Sequence, residues 1–281
     1  MKISTETHSI ARIVGEEKAV EYIAKAGFDA WDFSLFALNG KAGESTHPLT
    51  GNNYLSFMRN LKQIGLDNGI VCNQTHAPYP AEDPDVRSYL KRAIECTAEA
   101  GGSICVIHPY EEGTPEKNAE FYLELLPFAK ACGVKIATEN MWNWDKQREQ
   151  ACFAACQTPE SFLAHLNAVN DEDFVACLDI GHAEMRGTNT SAVEMICALG
   201  NKLQALHIHD NDLWKDYHEI PFSMKIDFDA VIKALKQIGY SGYLTLECVY
   251  YNFHHTQEQS FERVQNLAAA AKRLAQMWED A

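Results

Sequence analysis

The chain has 281 residues, 46% of them apolar and 22% charged, the make-up of a globular protein and not of a disordered one. Lysine and arginine total 24 against 39 aspartates and glutamates, a formal charge of −15, and so acidic a surface repels nucleic-acid phosphate and anionic lipid. No apolar run approaches the ~20 residues of a membrane span, and the opening Met1-Lys2-Ile3-Ser4-Thr5-Glu6 lacks the layout of a signal peptide.

In chain order, short apolar or β-branched runs predict strands at 2–6, 28–34, 70–74, 104–108, 134–139, 174–179, 205–209 and 243–248. Helix-period segments separate them. Ala93, Ile94 and Thr97 share a face that ends at Gly101-Gly102. Thr158-Pro159 sets a cap and a first-turn proline before Phe162, Leu163 and Leu166. Ser191 and Glu194 have capping-box spacing ahead of an apolar run that stops at Gly200. Val231, Ile232, Leu235 and Ile238 form one face closed by Gly239, and 257–278 reads as a final helix. Two stretches, 38–53 and 141–158, are too long and polar for tight loops, and both follow strand ends.

Eight strand–helix units without a linker or composition break predict a single α/β domain over 1–281, a (β/α)₈ TIM barrel with its active site at the C-terminal ends of the strands. A doubly wound sheet is the alternative. Nine cysteines are scattered along the chain, most in core-like surroundings such as Cys105, Cys177, Cys197 and Cys248; only Cys152 and Cys156 are close. That usage predicts reduced thiols and a cytoplasmic protein.

Six successive strands deliver metal-competent side chains at their C-terminal ends. They are His76, His108, Glu139, Asp179 with His182, His207 with Asp210, and Glu247; Asp216 and His218 follow the seventh strand. A barrel brings all of these to one mouth. Glu139 and Glu247 follow apolar strands, where an unpaired charge is costly, and converging carboxylates need a cation between them. Glu139, Asp179, His207 and Glu247 therefore read as one site for a divalent ion: Mn, Mg, Co, Fe or Zn. Four such ligands leave about two open positions in an octahedral shell, suited to two adjacent oxygens of a hydroxy-carbonyl compound. Glu139 and Glu247 would remove and return the proton next to the carbonyl, through an enediolate.

The segments 75–79, 106–109, Glu139-Asn140-Met141, 177–182, 207–212 and 240–247 resemble the sugar phosphate isomerase/epimerase family. Its barrel is the xylose-isomerase-like one shared with endonuclease-IV-type AP endonucleases. The most specific pieces are Leu178-Asp179-Ile180-Gly181-His182-Ala183 and His207-Ile208-His209-Asp210-Asn211-Asp212. The resemblance implies a metal-dependent isomerase or epimerase acting on a carbohydrate, with Glu139, Asp179, His207 and Glu247 as ligands and the two glutamates as the acid/base pair. His182 would touch substrate. A related lyase or dehydratase on a keto-sugar or keto-inositol would use the same residues. The endonuclease branch implies a rival, a phosphodiesterase with up to three zinc ions held by His76, His108, Glu139, Asp179, His182, His207, Asp216, His218 and Glu247.

Two positions depart from the family's pattern. Phe222-Ser223-Met224 stands where a Gly-Glu-Gly turn is common, predicting a more apolar wall on the mouth. Leu213 stands where ketose 3-epimerases carry arginine. Trp142 and Trp144 offer aromatic faces for a sugar or an aglycone. Arg186 is a candidate for an anionic substrate group or a surface ion pair, and Glu111-Glu112 reads as an ordinary charged loop. Exposed barrel helices permit a homo-oligomer.

Overall fold

A computed structural model describes residues 1–39, 45–253 and 255–281. Part of the predicted polar stretch 38–53, residues 40–44, lies outside them.

The strands are β1 (Ile3–Glu6), β2 (Ala30–Ser34), β3 (Val71–His76), β4 (Ile104–Val106), β5 (Lys135–Glu139), β6 (Asn143–Asp145), β7 (Gln150–Cys152), β8 (Phe174–Asp179), β9 (Leu203–His207) and β10 (Leu244–Leu246). Eight of them form one sheet in the order β10-β1-β2-β3-β4-β5-β8-β9, every pairing parallel. A parallel bridge between Ile208 and Leu246 joins the two ends of that order. There Ile208 donates to the Thr245 carbonyl at 2.9 Å and Glu247 to the Ile208 carbonyl at 2.9 Å. The barrel is the predicted one, with the seventh barrel strand two residues earlier than expected. β4 and β10 each end two residues earlier than expected, so His108 and Glu247 lie just past the regular ladder.

The helices are α1 (His8–Val14), α2 (Glu16–Ala26), α3 (Tyr54–Asp67), α4 (Pro84–Ala100), α5 (Pro115–Ala131), α6 (Pro159–Val169), α7 (Ile180–Glu184), α8 (Ala192–Leu199), α9 (Phe228–Gln237) and α10 (Ser260–Asp280). Their starts are chemically marked. Asp83, Thr114 and Thr158 each cap a helix that opens with proline, and Ser191 accepts the Glu194 N–H at 3.2 Å. The expected helix at 257–278 is a 3₁₀ turn, Gln257–Gln259, running into α10.

Two apolar layers result from strand alternation. Trp31, Phe33, Cys105, Ile136 and Leu178 belong to the large core between strands and helices. Val106, Ala137, Val175, Cys177 and Ala205 form a second, smaller core. This second set holds the key to the site: one pleat beyond Val106, Ala137, Cys177 and Ala205 come His108, Glu139, Asp179 and His207. Period-2 alternation thus aims all four the same way.

Cys105, Cys177 and Cys248 are buried as expected, but Cys197 is exposed, because Ala192, Met195, Ile196 and Leu199 take the inner face of α8. No disulfide links the described residues. No helix among them is long and apolar enough to cross a membrane.

The stretch 141–158 is not simply a loop. It holds the antiparallel hairpin β6–β7, with Trp144 opposite Ala151. No sequence signal marked it, since its strands are three residues each and half-buried.

Candidate active site

Glu139, Asp179, His207 and Glu247 meet at the C-terminal mouth with donor atoms all within 4.8 Å of one another. Glu139, Asp179 and His207 are at most 1% exposed and Glu247 is 7% exposed. His207 Nδ1 stands 3.1 Å from Glu139 Oε1 and 3.6 Å from Glu247 Oε2. Its Nε2 lies 3.4 Å from Asp32 Oδ2, and Asp32 in turn accepts from Gln74 Nε2 at 3.0 Å. A carboxylate behind a ligating imidazole fixes the ring and raises its basicity. Asn140 ties β5 to β8, accepting from Asp179 N at 2.7 Å and donating to the Asp179 carbonyl at 2.9 Å.

Further histidines surround this centre. His76 and His108 approach Glu139 Oε2 at 3.6 and 3.3 Å. On the other side His182, His209, Asp216 and His218 form a second cluster with ligand spacing. His182 and His218 place Nε2 at 3.4 and 3.0 Å from Asp216 Oδ2. His76, His182 and His218 each engage a backbone carbonyl through Nδ1: Ala77 at 2.8 Å, Asn140 at 2.9 Å and Glu247 at 2.8 Å. That contact makes Nδ1 the donor to the backbone and aims Nε2 into the cavity.

The donor set fits a cation. Glu139 Oε2, Asp179 Oδ2 and Asp216 Oδ1 are buried with no hydrogen-bond donor, and buried carboxylate oxygens left that way are costly. Proton affinities are split accordingly. Burial alone would raise Glu139, but His207 and His108 hold its carboxyl well below the usual range. Burial pushes Glu247 up to about 8, with the Glu139 and Asp179 charges adding to the rise against the pull of His207 and His218. Burial opposes charge on His182 and His218, yet Asp179 and Asp216 lift His182 well above its ordinary value and Asp216 lifts His218 to about 10. His207 is likewise raised well above its ordinary value against burial, with Glu247 and Glu139 among the causes. His76 is lowered by burial and by the neighbouring His108.

Above this floor lies a cavity of about 450 Å³, whose aromatic rim includes Phe36, Tyr79, Trp142, Trp144 and Tyr250. Tyr79 stacks on His108 at 4.9 Å, and Phe36 meets His76 edge-on at 4.9 Å. None of the described residues lining it is lysine or arginine.

A sequence profile of the xylose isomerase-like TIM barrel family matches residues 20–277. The chain belongs to that family. Over 249 residues, 82% of this chain and 78% of the relative, it is 28% identical to an uncharacterised protein of Methanocaldococcus jannaschii. A solved structure of a D-tagatose 3-epimerase-like protein superposes with a TM-score of 0.72 at 22% identity, covering 100% of this chain and 99% of that one. The IolI protein with a bound zinc atom gives 0.71 at 19% identity, covering 100% and 99%. At such identities these two likenesses establish the xylose isomerase-like fold.

The structure brings His76, His108, Glu139, Asp179, His182, His207, Asp216, His218 and Glu247 into one mouth, and Trp142 and Trp144 onto its rim. It does not bring Arg186 there. Arg186 is exposed and its guanidinium covers the Trp214 ring at 4.6 Å. Asp210 also points elsewhere, accepting from the backbone N–H groups of Met224, Lys225 and Ile226 at 2.8, 3.1 and 3.0 Å. The expected apolar wall at 222–224 does not form, because Phe222 packs on Phe228 at 5.2 Å and under Arg273 at 3.8 Å, away from the cavity.

Asp32, His209 and Glu111 were missed. Glu111 lines the cavity, and burial raises its carboxyl. Asp32 sits between Trp31 and Phe33 as a buried acid in an apolar strand, the same signal that flagged Glu139. His209 follows His207 by one pleat, and its Nε2 lies 3.1 Å from Asp179 Oδ1 and 3.3 Å from Asp216 Oδ1. Gly181 makes room for it: a Cβ there would fall 1.9 Å from the His209 ring.

Proposed function

We propose that this protein is a divalent-metal-dependent isomerase or epimerase that moves a proton on a neutral sugar or sugar derivative. The carrying observation is geometric: Glu139, Asp179, His207 and Glu247 bring donor atoms within 4.8 Å of one another, with Glu139 and Glu247 both facing His207 Nδ1 at 3.1 and 3.6 Å. Glu139, Asp179, His207 and Glu247 would hold the ion, in keeping with the zinc of the IolI structure. When bound, a divalent ion supplies a Lewis acid for negative charge developing on a substrate oxygen.

Glu139, ionised, takes the proton from the carbon beside the carbonyl. Glu247, protonated, delivers one to the opposite face of the same carbon, or, in an isomerisation, to the neighbouring carbon while the hydroxyl proton passes to the other oxygen, and the two carboxyls end with exchanged protonation. His207, with Asp32 Oδ2 3.4 Å behind its Nε2, stands between the two. The aromatic rim excludes water from the deprotonated intermediate. The D-tagatose 3-epimerase-like neighbour agrees with a carbohydrate substrate.

The cluster of His182, His209, Asp216 and His218 favours the rival multi-metal phosphodiesterase. Against it stand the formal charge of −15 and a cavity lining without lysine or arginine among its described residues, since phosphate grip requires cationic or N–H donors.

The test is proton exchange in D₂O. Metal-loaded protein, incubated with a panel of ketoses, aldoses and keto-glycosides, is followed by proton NMR. One C–H signal beside the carbonyl should wash out for a member of the panel, and Glu139→Gln and Glu247→Gln should each suppress it. Exchange that survives both substitutions refutes the proton-shuttle reading. Nicking of abasic-site DNA without sugar exchange moves the function to the rival.

A further inference from the structure

Outside the metal centre the mouth continues into a second hollow of about 610 Å³, which shares Trp142, Trp144, Asp216 and Tyr250 with the first and adds Met185 and Trp214. We propose that this outer hollow is a ring-binding subsite, so that the substrate is a glycoside-like molecule whose reacting sugar carries a second ring. The inference rests on the carbohydrate reading above and deepens it.

Three of the chain's five tryptophans line this hollow. All three are half-buried, so none is simply a core residue. Indole faces match the flat face of an aromatic ring or the C–H face of a sugar. Trp142 and Trp144 stand edge-to-face at 6.4 Å, so their faces point in different directions and form a corner. Lys146, Glu149 and Lys215 supply polar groups at the edge. The inner cavity, with its imidazoles and carboxylates, would take the polyol carrying the reacting carbon. The outer one is built for a ring.

The wall is held by several constraints. Three separate loops are stitched together: Ala151 donates to the Arg186 carbonyl at 3.0 Å, and Arg186 donates to the Leu213 carbonyl at 2.9 Å. Gly187, at φ +100°, allows the hairpin this close, since a Cβ there would lie 2.0 Å from the Ala151 oxygen. Asp212 accepts from Trp214 N and Lys215 N, both at 2.9 Å, and Arg186 covers the Trp214 ring at 4.6 Å. Glu149, Asn189 and Leu213 take left-handed conformations at φ +48°, +58° and +66°, which cost a non-glycine residue free energy and persist where surroundings over-determine them. Arg186 thus acts by fixing Trp214 and not by meeting an anion at the metal.

The experiment is calorimetric titration of metal-loaded full-length protein with methyl β-glycosides, phenyl β-glycosides and β-linked disaccharides of glucose, galactose and mannose. These glycosides present no carbonyl at the reacting ring, so affinity is read apart from turnover. For at least one sugar, a ring-bearing ligand should bind at least tenfold more tightly than its methyl partner. Trp214→Ala should reduce that ratio below twofold while methyl glycoside affinity stays within twofold, and Trp214→Phe should keep most of the gain. A gain confined to phenyl glycosides assigns an aromatic aglycone, and one confined to disaccharides a second sugar. Equal affinities throughout, or a gain indifferent to Trp214→Ala, overturn the subsite and leave the carbohydrate reading intact. Failure of every glycoside to bind protein of full metal content overturns the subsite, and the carbohydrate reading falls with it only if the D₂O exchange is also absent.

Discussion

The two ends of this barrel carry hollows of nearly equal size and opposite character. The C-terminal one, about 450 Å³, is floored by buried carboxylates and imidazoles. The N-terminal one, about 440 Å³, is lined by neutral groups such as Asn73, Gln74, Ser103, Gln204, Tyr240 and Tyr243. Its polar groups answer one another: Ser4 Oγ donates to Asn73 Oδ1 at 2.6 Å, and Asn73 Nδ2 donates to Gln74 Oε1 and Thr245 Oγ1, both at 3.2 Å. At the mouth, by contrast, Glu139, Asp179 and Asp216 keep buried oxygens without donors. Volume does not separate the two ends; unanswered charge does. A satisfied network rigidifies a fold, whereas an unsatisfied one is waiting for a ligand.

The contrast breaks most sharply at Glu139. Glu139→Gln should lower turnover by ~10³-fold, within the range for loss of an acid/base group, and should also reduce metal per chain measured by plasma mass spectrometry. Retention of both activity and metal would place the chemistry elsewhere. Asp32→Asn, one layer below, should cost ~10–100-fold in metal affinity or rate, read by competition with a fluorescent chelator; an unchanged affinity would mean that Asp32 serves packing alone.

The proton affinities give a pH prediction with a definite sign. Glu247 at about 8 and His218 at about 10, with His182 and His207 also raised, favour the metal-free folded state while protonated. Their contribution is fully present below their unfolded values and is lost as pH climbs through the folded ones. Glu139, Asp179 and Asp216 are lowered, so theirs is lost in acid. Protein treated with chelator should therefore lose thermal stability from about pH 5 towards 9. Metal binding must displace the proton of the ligand His207, so metal affinity should rise over the same range. A flat melting temperature in chelator would contradict these shifts.

Smaller effects sharpen the comparison. Gly181→Ala drives a methyl into His209 and should cost ~1–3 kcal/mol, the range for overpacking, with weakened metal retention as the accompanying sign. Asn73→Ala at the opposite end strips Ser4 and Thr245 of a partner and should cost about 1–3 kcal/mol with kcat unchanged. Should Asn73→Ala change kcat strongly, the chain Asn73–Gln74–Asp32–His207 would be coupling the two ends.

Much of this was legible before any coordinates. The eight barrel strands, the caps at Thr158 and Ser191 and the four-residue centre all follow from local pattern and from the cost of burying Glu139 and Glu247 in apolar strands. Asp32 obeyed the same rule and was overlooked because it ends no strand. His209 was overlooked because His207 beside it had already been given the role; inward parity two residues on would have found it. Asp210, one residue out of phase, faces the backbone of 224–226.

Linear pattern determined the barrel and the identity of the charged groups at its mouth, because strand periodicity and burial cost act over a few residues. Tertiary structure decided which of those groups converge, which ring nitrogen each histidine aims inward, and that Trp214, covered by Arg186, joins the hairpin β6–β7 in a second hollow. Those outcomes depend on close approaches between loops far apart in the chain, such as Gly187 against Ala151 and Gly181 against His209. No periodicity within one segment encodes the distance to another.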